Sequence, residues 1–169
     1  MEAPLEPRDC ILCGADGIFW CSDCAHWPVF CTLCCWAEHK HQPFHRLEQW
    51  NGTFFEESSL QLASFVLHVG HGGKQCLAGG SCLIVVHRNG IHYCNVRYCR
   101  CLGAEDLPIQ LMQARMFPAT TKAPRTTFTF QVLDDFIQDN LECGTSAMNF
   151  FSKLADHLKC LSSSGSGGF

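Results

Sequence analysis

The spacing of hydrophobic residues changes along the chain and divides it into regions with different predicted structures. Residues 64–69 follow the two-residue period of a β-strand. Two further apolar runs, at 83–86 and 91–96, have the length of strands and lie close together in the sequence. The pattern therefore predicts a small antiparallel sheet in the middle of the chain.

The segment between the two apolar runs predicts a β-hairpin. Asn89-Gly90 is a strong hairpin signal, because both central positions of a type I′ turn require positive φ. If these two residues form the whole loop, His87 and His92 lie directly opposite each other on one face of the sheet. Such a pair could bind a metal, but an ordinary half-exposed cross-strand contact is the more frequent arrangement.

Beyond residue 125, hydrophobic residues recur at the spacing of two helices. Ser146 is placed to cap the second helix, and Asp135 and Asp139 fall on the outer face of the first. The two apolar stripes predict a pair of helices over residues 126–160 that pack against each other. Their members are Phe130, Leu133, Phe136, Ile137 and Leu141 in the first helix, and Ala147, Phe150, Phe151, Leu154 and Leu158 in the second.

The composition is that of a folded protein with many potential metal ligands. Of 169 residues, 47% are hydrophobic and 17% charged, and the chain contains 14 cysteines and nine histidines. The first nine residues lack the basic and apolar regions of a secretory signal, so we expect an intracellular, reducing environment. No stretch reaches the roughly 20 apolar residues that span a membrane.

The formal charge of −4 is distributed unevenly along the chain. Residues 1–50 carry an acidic excess, residues 51–125 a basic excess, and residues 126–169 again an acidic excess. A surface that contacts DNA phosphates therefore belongs to the middle region, although a solvated basic surface is the alternative. The candidate contacts are Arg88, Arg97, Arg100, Arg115, Lys122 and Arg125.

Three Cys-x-x-Cys pairs and two histidines follow one another near the start of the chain. Each pair can place two thiolates at roughly 2.3 Å from one zinc ion, and a tetrahedral site needs four ligands. So short a segment with few aliphatic residues cannot fold by burial alone, so we expect metal binding to supply the folding energy. The candidates are Cys10 with Cys13, Cys21 with Cys24, and Cys31 with Cys34, followed by His39 and His45.

These ligands can be paired in more than one way. Neighbouring pairs could share an ion in sequence order, or the first and third pairs could share one ion and the remaining ligands the other, in a cross-brace that we favour. Cys35 and His41 are competing ligands for the positions of Cys34 and His39, and His26 is the least favoured ligand. A disulfide framework and a RING-type ubiquitin-ligase finger are alternatives for the whole segment.

The order and gaps of these residues resemble the B-box zinc finger. Four protein ligands around each ion leave no open coordination position, so such sites are structural. The resemblance implies one site formed by Cys10, Cys13, Cys31 and Cys34, and a second formed by Cys21, Cys24, His39 and His45.

A third group of possible zinc ligands lies in the predicted sheet region. Cys99 and Cys101 are two residues apart, so on a strand they project from the same face. Cys76 and His71 could complete the site, with His92 as a competing fourth ligand. His92 precedes Cys99 by roughly 23 Å along an ideal strand, which favours His71. Buried thiols and a surface histidine without metal are the alternative.

Several ordered motifs over roughly residues 18–158 carry a wider resemblance. They are residues 43–52 (Pro-Phe-His-Arg-Leu-Glu-Gln-Trp-Asn-Gly), Val69-Gly70-His71-Gly72, Asn89-Gly90-Ile91-His92, Tyr98-Cys99-Arg100-Cys101 and the Phe-Pro-Ala-Thr-Thr-Lys-Ala-Pro-Arg-Thr run at 117–126. Together they resemble the CxC-type cysteine-cluster domain associated with KDZ (Kyakuja-Dileera-Zisupton) transposases, abundant in basidiomycete fungi. In that family the domain precedes an RNase H-like catalytic domain and is associated with zinc and with DNA or protein partners.

The resemblance implies a zinc-binding accessory module of a transposase, as a truncated or separately encoded copy. The chain lacks strand-borne acidic residues for two magnesium ions, so we expect no strand transfer and no enzyme activity. We expect a nuclear protein that supports DNA binding, or alternatively a protein-interaction module of the B-box type.

The fold class that we predict is a small, zinc-stabilised α+β protein. The expected regions are a disordered N terminus at 1–9, a B-box-like double-zinc finger at 10–50, a small sheet with the third cysteine cluster at 51–125, a helical pair at 126–160 and a flexible tail at 161–169.

Overall fold

The residues described in the computed structural model are 8–76 and 79–162, and they divide into two units between Phe65 and Val66. Most of the predicted disordered N terminus and of the predicted flexible tail lies outside the described residues. Arg8 and Asp9 are described, and Asp9 forms an isolated antiparallel bridge with Asp16.

The first unit contains a four-stranded antiparallel sheet with the order β2-β1-β3-β4. A short helix, α1 (Thr32–Glu38), and a 3-10 turn at His39–His41 connect β2 to β3. Because β4 pairs with β3 along its whole length, this unit continues beyond residue 50, where the sequence analysis ended the finger. The strands are β1 (Phe19–Cys21), β2 (Val29–Phe30), β3 (Leu47–Trp50) and β4 (Phe55–Ser58).

The hydrophobic core of the first unit is small. Its buried members other than cysteine are Phe19, Phe30, Leu47, Leu60 and Ala63, and the cysteines Cys10, Cys21 and Cys35 complete it. A core with so few aliphatic side chains contributes little burial free energy. The fold of this unit therefore depends on additional interactions among its cysteines and histidines.

The second unit contains a mixed five-stranded sheet with the order β5-β7-β6-β9-β8. The three predicted strands are present as β5, β6 and β7, and β6 and β7 form the predicted antiparallel hairpin. Two pairings, of β5 with β7 and of β6 with β9, are parallel, so the sheet is not purely antiparallel. The strands are β5 (Val66–His68), β6 (Gly80–His87), β7 (Gly90–Arg97), β8 (Met116–Pro118) and β9 (Thr126–Thr129).

The hairpin turn lies one residue earlier than predicted. His87 pairs with Gly90, so the two-residue loop is Arg88-Asn89 rather than Asn89-Gly90. Gly90 has a φ of 140°, which a glycine adopts readily at the end of a turn. His92 consequently pairs with Val85, and the prediction that His87 and His92 lie directly opposite each other is wrong.

The predicted helical pair is present as α3 (Phe130–Cys143) and α4 (Ala147–Ser162), although residues 126–129 form β9 instead. The rings of Phe136 and Phe150 pack at 5.3 Å between centroids. Ser146 caps α4 as predicted, because its Oγ accepts the Asn149 N–H at 3.2 Å.

The two helices pack on the sheet as well as on each other. Val132 and Leu154 are buried with Val86 of β6 in one cluster. Ile137 and Leu141, which were predicted for the interface, are 53% and 80% exposed. The side chain of Leu158 lies outside the described residues.

The second unit also contains a helix that the sequence analysis did not predict, α2 (Leu107–Gln113). Asp106 at its N-cap and Pro108 in its first turn are ordinary helix-start signals. Leu111 of α2 is fully buried, so the helix covers part of the core. No helix among the described residues is long and apolar enough to cross a membrane.

Replacement of Thr129 tests the junction between β9 and α3. The Thr129 Oγ1 accepts the Val132 N–H at 3.4 Å and lies 2.9 Å from Nδ1 of His87. Thr129→Ala should lower the unfolding free energy of the zinc-saturated chain by about 1–2 kcal/mol, because both interactions lose their partner. Thr129→Ser retains the hydroxyl and should lose less. Urea denaturation measures the difference, and equal losses would contradict the capping role.

Candidate metal centres

The first ligand group joins the turn at Cys10 and Cys13 to the start of α1. The Gly14 N–H donates to the Cys10 carbonyl at 2.8 Å and closes this turn. Cys31 is the N-cap of α1, and Cys34 lies in its first turn. The four sulfur atoms lie within 4.8 Å of one another, and those of Cys13 and Cys31 are 3.6 Å apart.

The electrostatics of the first group favour a bound cation. Burial opposes ionisation of the Cys10 thiol, but backbone hydrogen bonds of Cys31 and Leu12 lower its pKa to about 6. The side chains of Cys31 and Cys13, in contrast, raise the pKa of Cys34. All four sulfurs can be thiolates together only if a divalent cation neutralises their mutual repulsion.

The second group combines the turn at Cys21 and Cys24 with two histidines that follow α1. The Nε2 atom of His39 lies 3.2 Å from the Cys21 Sγ and 3.6 Å from the Cys24 Sγ. The Nδ1 atom of His45 lies 3.3 Å from the Cys24 Sγ and 3.5 Å from the Cys21 Sγ. His39 is fully buried, so its ring is held in place by the core.

Neighbouring groups orient both histidines of the second group. The Nδ1–H of His39 donates to the Cys35 carbonyl at 2.8 Å, which leaves the lone pair of Nε2 directed at the thiols. Asp23, inside the Cys21-x-x-Cys24 turn, accepts the backbone N–H of Arg46 at 2.7 Å and its guanidinium at 2.6 Å. This ion pair fixes the residue after His45 against the turn, and sequence spacing alone did not indicate it.

The competing ligands lie outside these two groups. Cys35 is a buried thiol, and burial raises its pKa to about 12, which is typical of a packed, inert side chain. His26 and His41 are exposed, and neither belongs to a ligand group of the described residues. The 13 cysteines that the structure describes are all free thiols, which does not fit the disulfide alternative.

The third group lies in the second unit and contains His71, Cys76, Cys99 and Cys101. The Nε2 atom of His71 is 3.0 Å from the Cys99 Sγ and 3.7 Å from the Cys101 Sγ. The sulfurs of Cys76 and Cys101 are 4.0 Å apart, and the neighbouring thiols raise the pKa of Cys101 to about 11. As in the first group, the ligands cannot all be deprotonated without a cation.

A buried glutamine positions the third group. Gln110 of α2 is 3% exposed, and its Oε1 accepts the Cys99 N–H at 2.8 Å while its Nε2 donates to the Cys99 carbonyl at 2.9 Å. Gly70 permits this arrangement, because a Cβ atom there would lie 2.8 Å from the Cys99 nitrogen and 2.9 Å from the Gln110 Oε1. No sequence pattern indicated Gln110, because α2 was not predicted.

The other histidines and thiols near the hairpin do not join the third group. The Nε2 of His92 lies 2.8 Å from the Asn89 Oδ1, and its ring centroid is 6.3 Å from that of His87. Cys94 is buried, and burial raises the pKa of its thiol to about 12. Cys82 is exposed and lies outside the ligand groups of the described residues.

The geometry of all three groups suits zinc. Four sulfur ligands at roughly 2.3 Å in a tetrahedron are about 3.8 Å apart. The sulfur separations of 3.6 Å in the first group and 4.0 Å in the third are close to that value, whereas a disulfide requires roughly 2.05 Å. Cysteine and neutral histidine are also the ligands that zinc prefers. The three groups could therefore each hold one zinc ion.

The chain matches a known protein family. The family model described as a CxC2 like cysteine cluster associated with KDZ transposases matches residues 60–161, more than half of the chain. The matched segment contains the whole third ligand group and begins after the first two. No curated protein and no solved structure matches the chain.

Native mass spectrometry tests the number and composition of the sites. The intact chain should bind three zinc ions. Cys13→Ser combined with Cys31→Ser should remove one ion, because both residues belong to the first group. Cys13→Ser combined with Cys21→Ser should remove two. Loss of two ions from the first double variant and one from the second would instead support sequential pairing.

Histidine variants supply matched controls for the same measurement. His71→Ala should weaken binding of one ion, whereas His92→Ala and His41→Ala should keep all three. Only two ions bound to the unmodified chain would exclude zinc at the third group. Loss of one ion from His41→Ala would identify His41 as the ligand in place of His39.

Gln110→Leu tests how the third group is positioned. Loss of both hydrogen bonds to Cys99 should weaken zinc binding at the third group by about 10–100-fold and leave the other two ions in place. A chelator titration followed by mass spectrometry measures the order of ion loss. Gln113→Leu, an exposed change on the same helix, is the control. Equal effects of both variants, or simultaneous loss of all three ions, would contradict a positioning role.

Proposed function

Because the chain belongs to the family of CxC2-like cysteine clusters associated with KDZ transposases, we propose that it is a non-catalytic, zinc-binding accessory module of a KDZ-type transposase. In this proposal the second unit contacts DNA in the nucleus, and the first unit is a B-box-like cross-brace. The interleaved ligand groups support the cross-brace, because the first and third cysteine pairs converge and the second pair meets the two histidines.

The charge distribution supports a DNA contact of the second unit rather than of the first. Residues 1–65 contain three basic and nine acidic residues, whereas residues 66–169 contain nine basic and seven acidic ones. Four thiolates on one Zn²⁺ would add a charge of −2 to the first unit, and the three thiolates of the third group on one Zn²⁺ would add −1 to the second. The first unit therefore repels phosphate, whereas the second unit keeps a small basic excess.

The observation that carries the DNA proposal is the basic loop between β8 and β9. Lys122 and Arg125 lie in this loop, both are exposed, and neither forms an ion pair within the described part of the chain. The Thr120 hydroxyl donates to the Lys122 carbonyl at 3.0 Å and shapes the loop. Exposed, uncompensated cations beside hydroxyl side chains suit phosphate oxygens.

Three of the other four basic candidates have partners within the protein. Arg88 forms a bidentate ion pair with Asp135, at 2.7 and 3.0 Å. The guanidinium of Arg100 lies 5.0 Å from the ring centroid of Tyr98, and that of Arg115 lies 5.6 Å from Phe130. Arg97 is half-buried on β7. These cations contribute to the electrostatic field of the second unit, while the β8–β9 loop supplies the direct contacts with DNA phosphates.

Two features support a module without transposase chemistry. Asp135 is held by Arg88, and Asp139 lies 3.3 Å from the Lys153 Nζ, so both carboxylates serve ion pairs. Within residues 8–76 and 79–162, every group of three or more potential ligands consists of cysteine and histidine. Strand transfer with two magnesium ions requires carboxylates brought together in one site.

A protein-interaction module of the B-box type is the second candidate. The observation that favours it is the exposure of large apolar side chains on the first unit, namely Ile11 (65%), Leu12 (55%), Trp27 (65%) and Leu33 (72%). Exposed apolar side chains of this size are common at protein interfaces. This candidate predicts no DNA affinity for the chain.

DNA affinity measured against salt concentration separates the two candidates. The zinc-loaded chain should bind duplex DNA with a steep salt dependence. The double variant Lys122→Ala/Arg125→Ala should bind more weakly, with a slope reduced by about 2, because each phosphate contact contributes roughly 0.9. Fluorescence anisotropy at several salt concentrations supplies the slope.

Lys40→Ala is the matched control, since Lys40 is an exposed cation of the first unit. This variant should behave like the unmodified chain. Absence of DNA binding, or an unchanged slope in the double variant, would remove the DNA role and leave the interaction module.

A further inference from the structure

The outer face of the first sheet combines aromatic and acidic side chains. Trp50 pairs with Phe55 across β3 and β4, and Glu48 pairs with Glu57 two residues away, so all four lie on one face. Trp20 of β1 pairs with Glu48 and joins the same face. The opposite face carries the buried Phe19 and Leu47 and packs into the core.

The three aromatic rings of this face form a contiguous group. The ring centroid of Phe55 is 5.2 Å from that of Trp50 and 5.7 Å from that of Trp20, both in edge-on geometry. Aromatic ring faces carry partial negative charge and attract cations, and tryptophan does so most strongly. The face therefore has the electronic character of a site for a cationic side chain.

The carboxylates strengthen this character. Glu48 and Glu57 stand directly opposite each other, an arrangement that is unfavourable unless a cation lies nearby. Glu48 is half-buried, and burial raises its pKa. Both observations indicate carboxylates whose charge is poorly compensated, so a cation that binds beside them would stabilise them.

A cationic side chain of the protein, that of Arg8, already lies at this face. The guanidinium carbon of Arg8 lies 4.5 Å from the ring centroid of Trp50. Its Nη2 contacts the Asp16 Oδ1 at 3.0 Å, whereas its Nη1 is buried without a hydrogen-bond partner among the described residues. The Gly17 N–H donates to the Arg8 carbonyl, and a Cβ atom at Gly17 would collide with that oxygen. Arg8 is thus held over the Trp50 ring, and its Nη1 donors are not used in a hydrogen bond within the described residues.

We propose that this face, formed by Trp20, Trp50, Phe55, Glu48 and Glu57, is a binding site for an arginine side chain of a basic partner peptide. Arg8 occupies the site in the unbound protein and is displaced by the partner. Arg8 contacts the Trp50 ring and Asp16, whereas a partner guanidinium that also reaches Glu48 and Glu57 would gain further complementary charge and displace it. The proposal concerns the acidic unit and is independent of the DNA contact of the second unit.

Isothermal titration of the zinc-loaded full chain tests the site. The probe is a blocked five-residue peptide with a central arginine flanked by alanine and glycine. Arg8→Ala should bind this peptide about two- to thirtyfold more tightly than the unmodified chain, the range expected for loss of a competing cation–π contact. In the Arg8→Ala background, Phe55→Leu and Glu48→Gln should each weaken binding again.

Matched peptides and variants decide the outcome. A peptide with central glutamine should not bind, and peptides with lysine or trimethyllysine should bind more weakly than the arginine peptide. Arg100→Ala, which removes the arginine over Tyr98 in the second unit, should leave the affinity unchanged. The proposal is overturned if Arg8→Ala does not bind at millimolar peptide or binds no more tightly than the unmodified chain. Equal binding of the glutamine peptide, or tighter binding of either lysine peptide, also overturns it.

Discussion

Cysteine thiolates held within 4.8 Å of one another in a ligand group repel strongly, and a divalent cation removes that repulsion. The fold of the first unit depends on this neutralisation of the thiolates by a cation. Its strands have two to four residues, and its core contains few aliphatic side chains. The ligands come from both ends of α1 and from two separate turns, so two bound ions would fasten nearly every segment of the unit. Metal binding and folding of this unit are then thermodynamically coupled.

The second unit uses its ligand group differently. Its sheet buries Leu83, Val85, Val86 and Val96, which gives it a hydrophobic core of its own. The third ligand group lies at the edge of this core, where the segment after β5 meets the segment after β7. Gln110 ties the same place to α2 through the Cys99 backbone. An ion there would order connecting segments on a sheet that apolar packing already stabilises, and this is the part that the family model covers.

The two units also differ in charge, and this difference underlies the proposed division of roles. The acidic unit carries the aromatic face over which Arg8 lies, and cationic partners suit it. The basic unit exposes Lys122 and Arg125 on a loop, where phosphates suit them. A module built in this way could contact nucleic acid and a basic protein segment at once, because the two surfaces attract ligands of opposite charge.

Short-range spacing in the sequence was sufficient to predict the Cys-x-x-Cys pairs, the hairpin strands and the helical pair, but the structure decided which of the pairs lie together. A Cys-x-x-Cys pair, a run of alternating residues and a helical stripe are each local patterns whose geometry follows from the backbone. The pairing of distant segments was decided only by the tertiary structure. Apolar spacing could not show that β5 and β9 pair in parallel, that the turn precedes Gly90, or that α2 brings Gln110 to Cys99. The contact of the Arg8 guanidinium with the Trp50 ring also could not be predicted from the sequence, because long-range contacts depend on how whole elements pack.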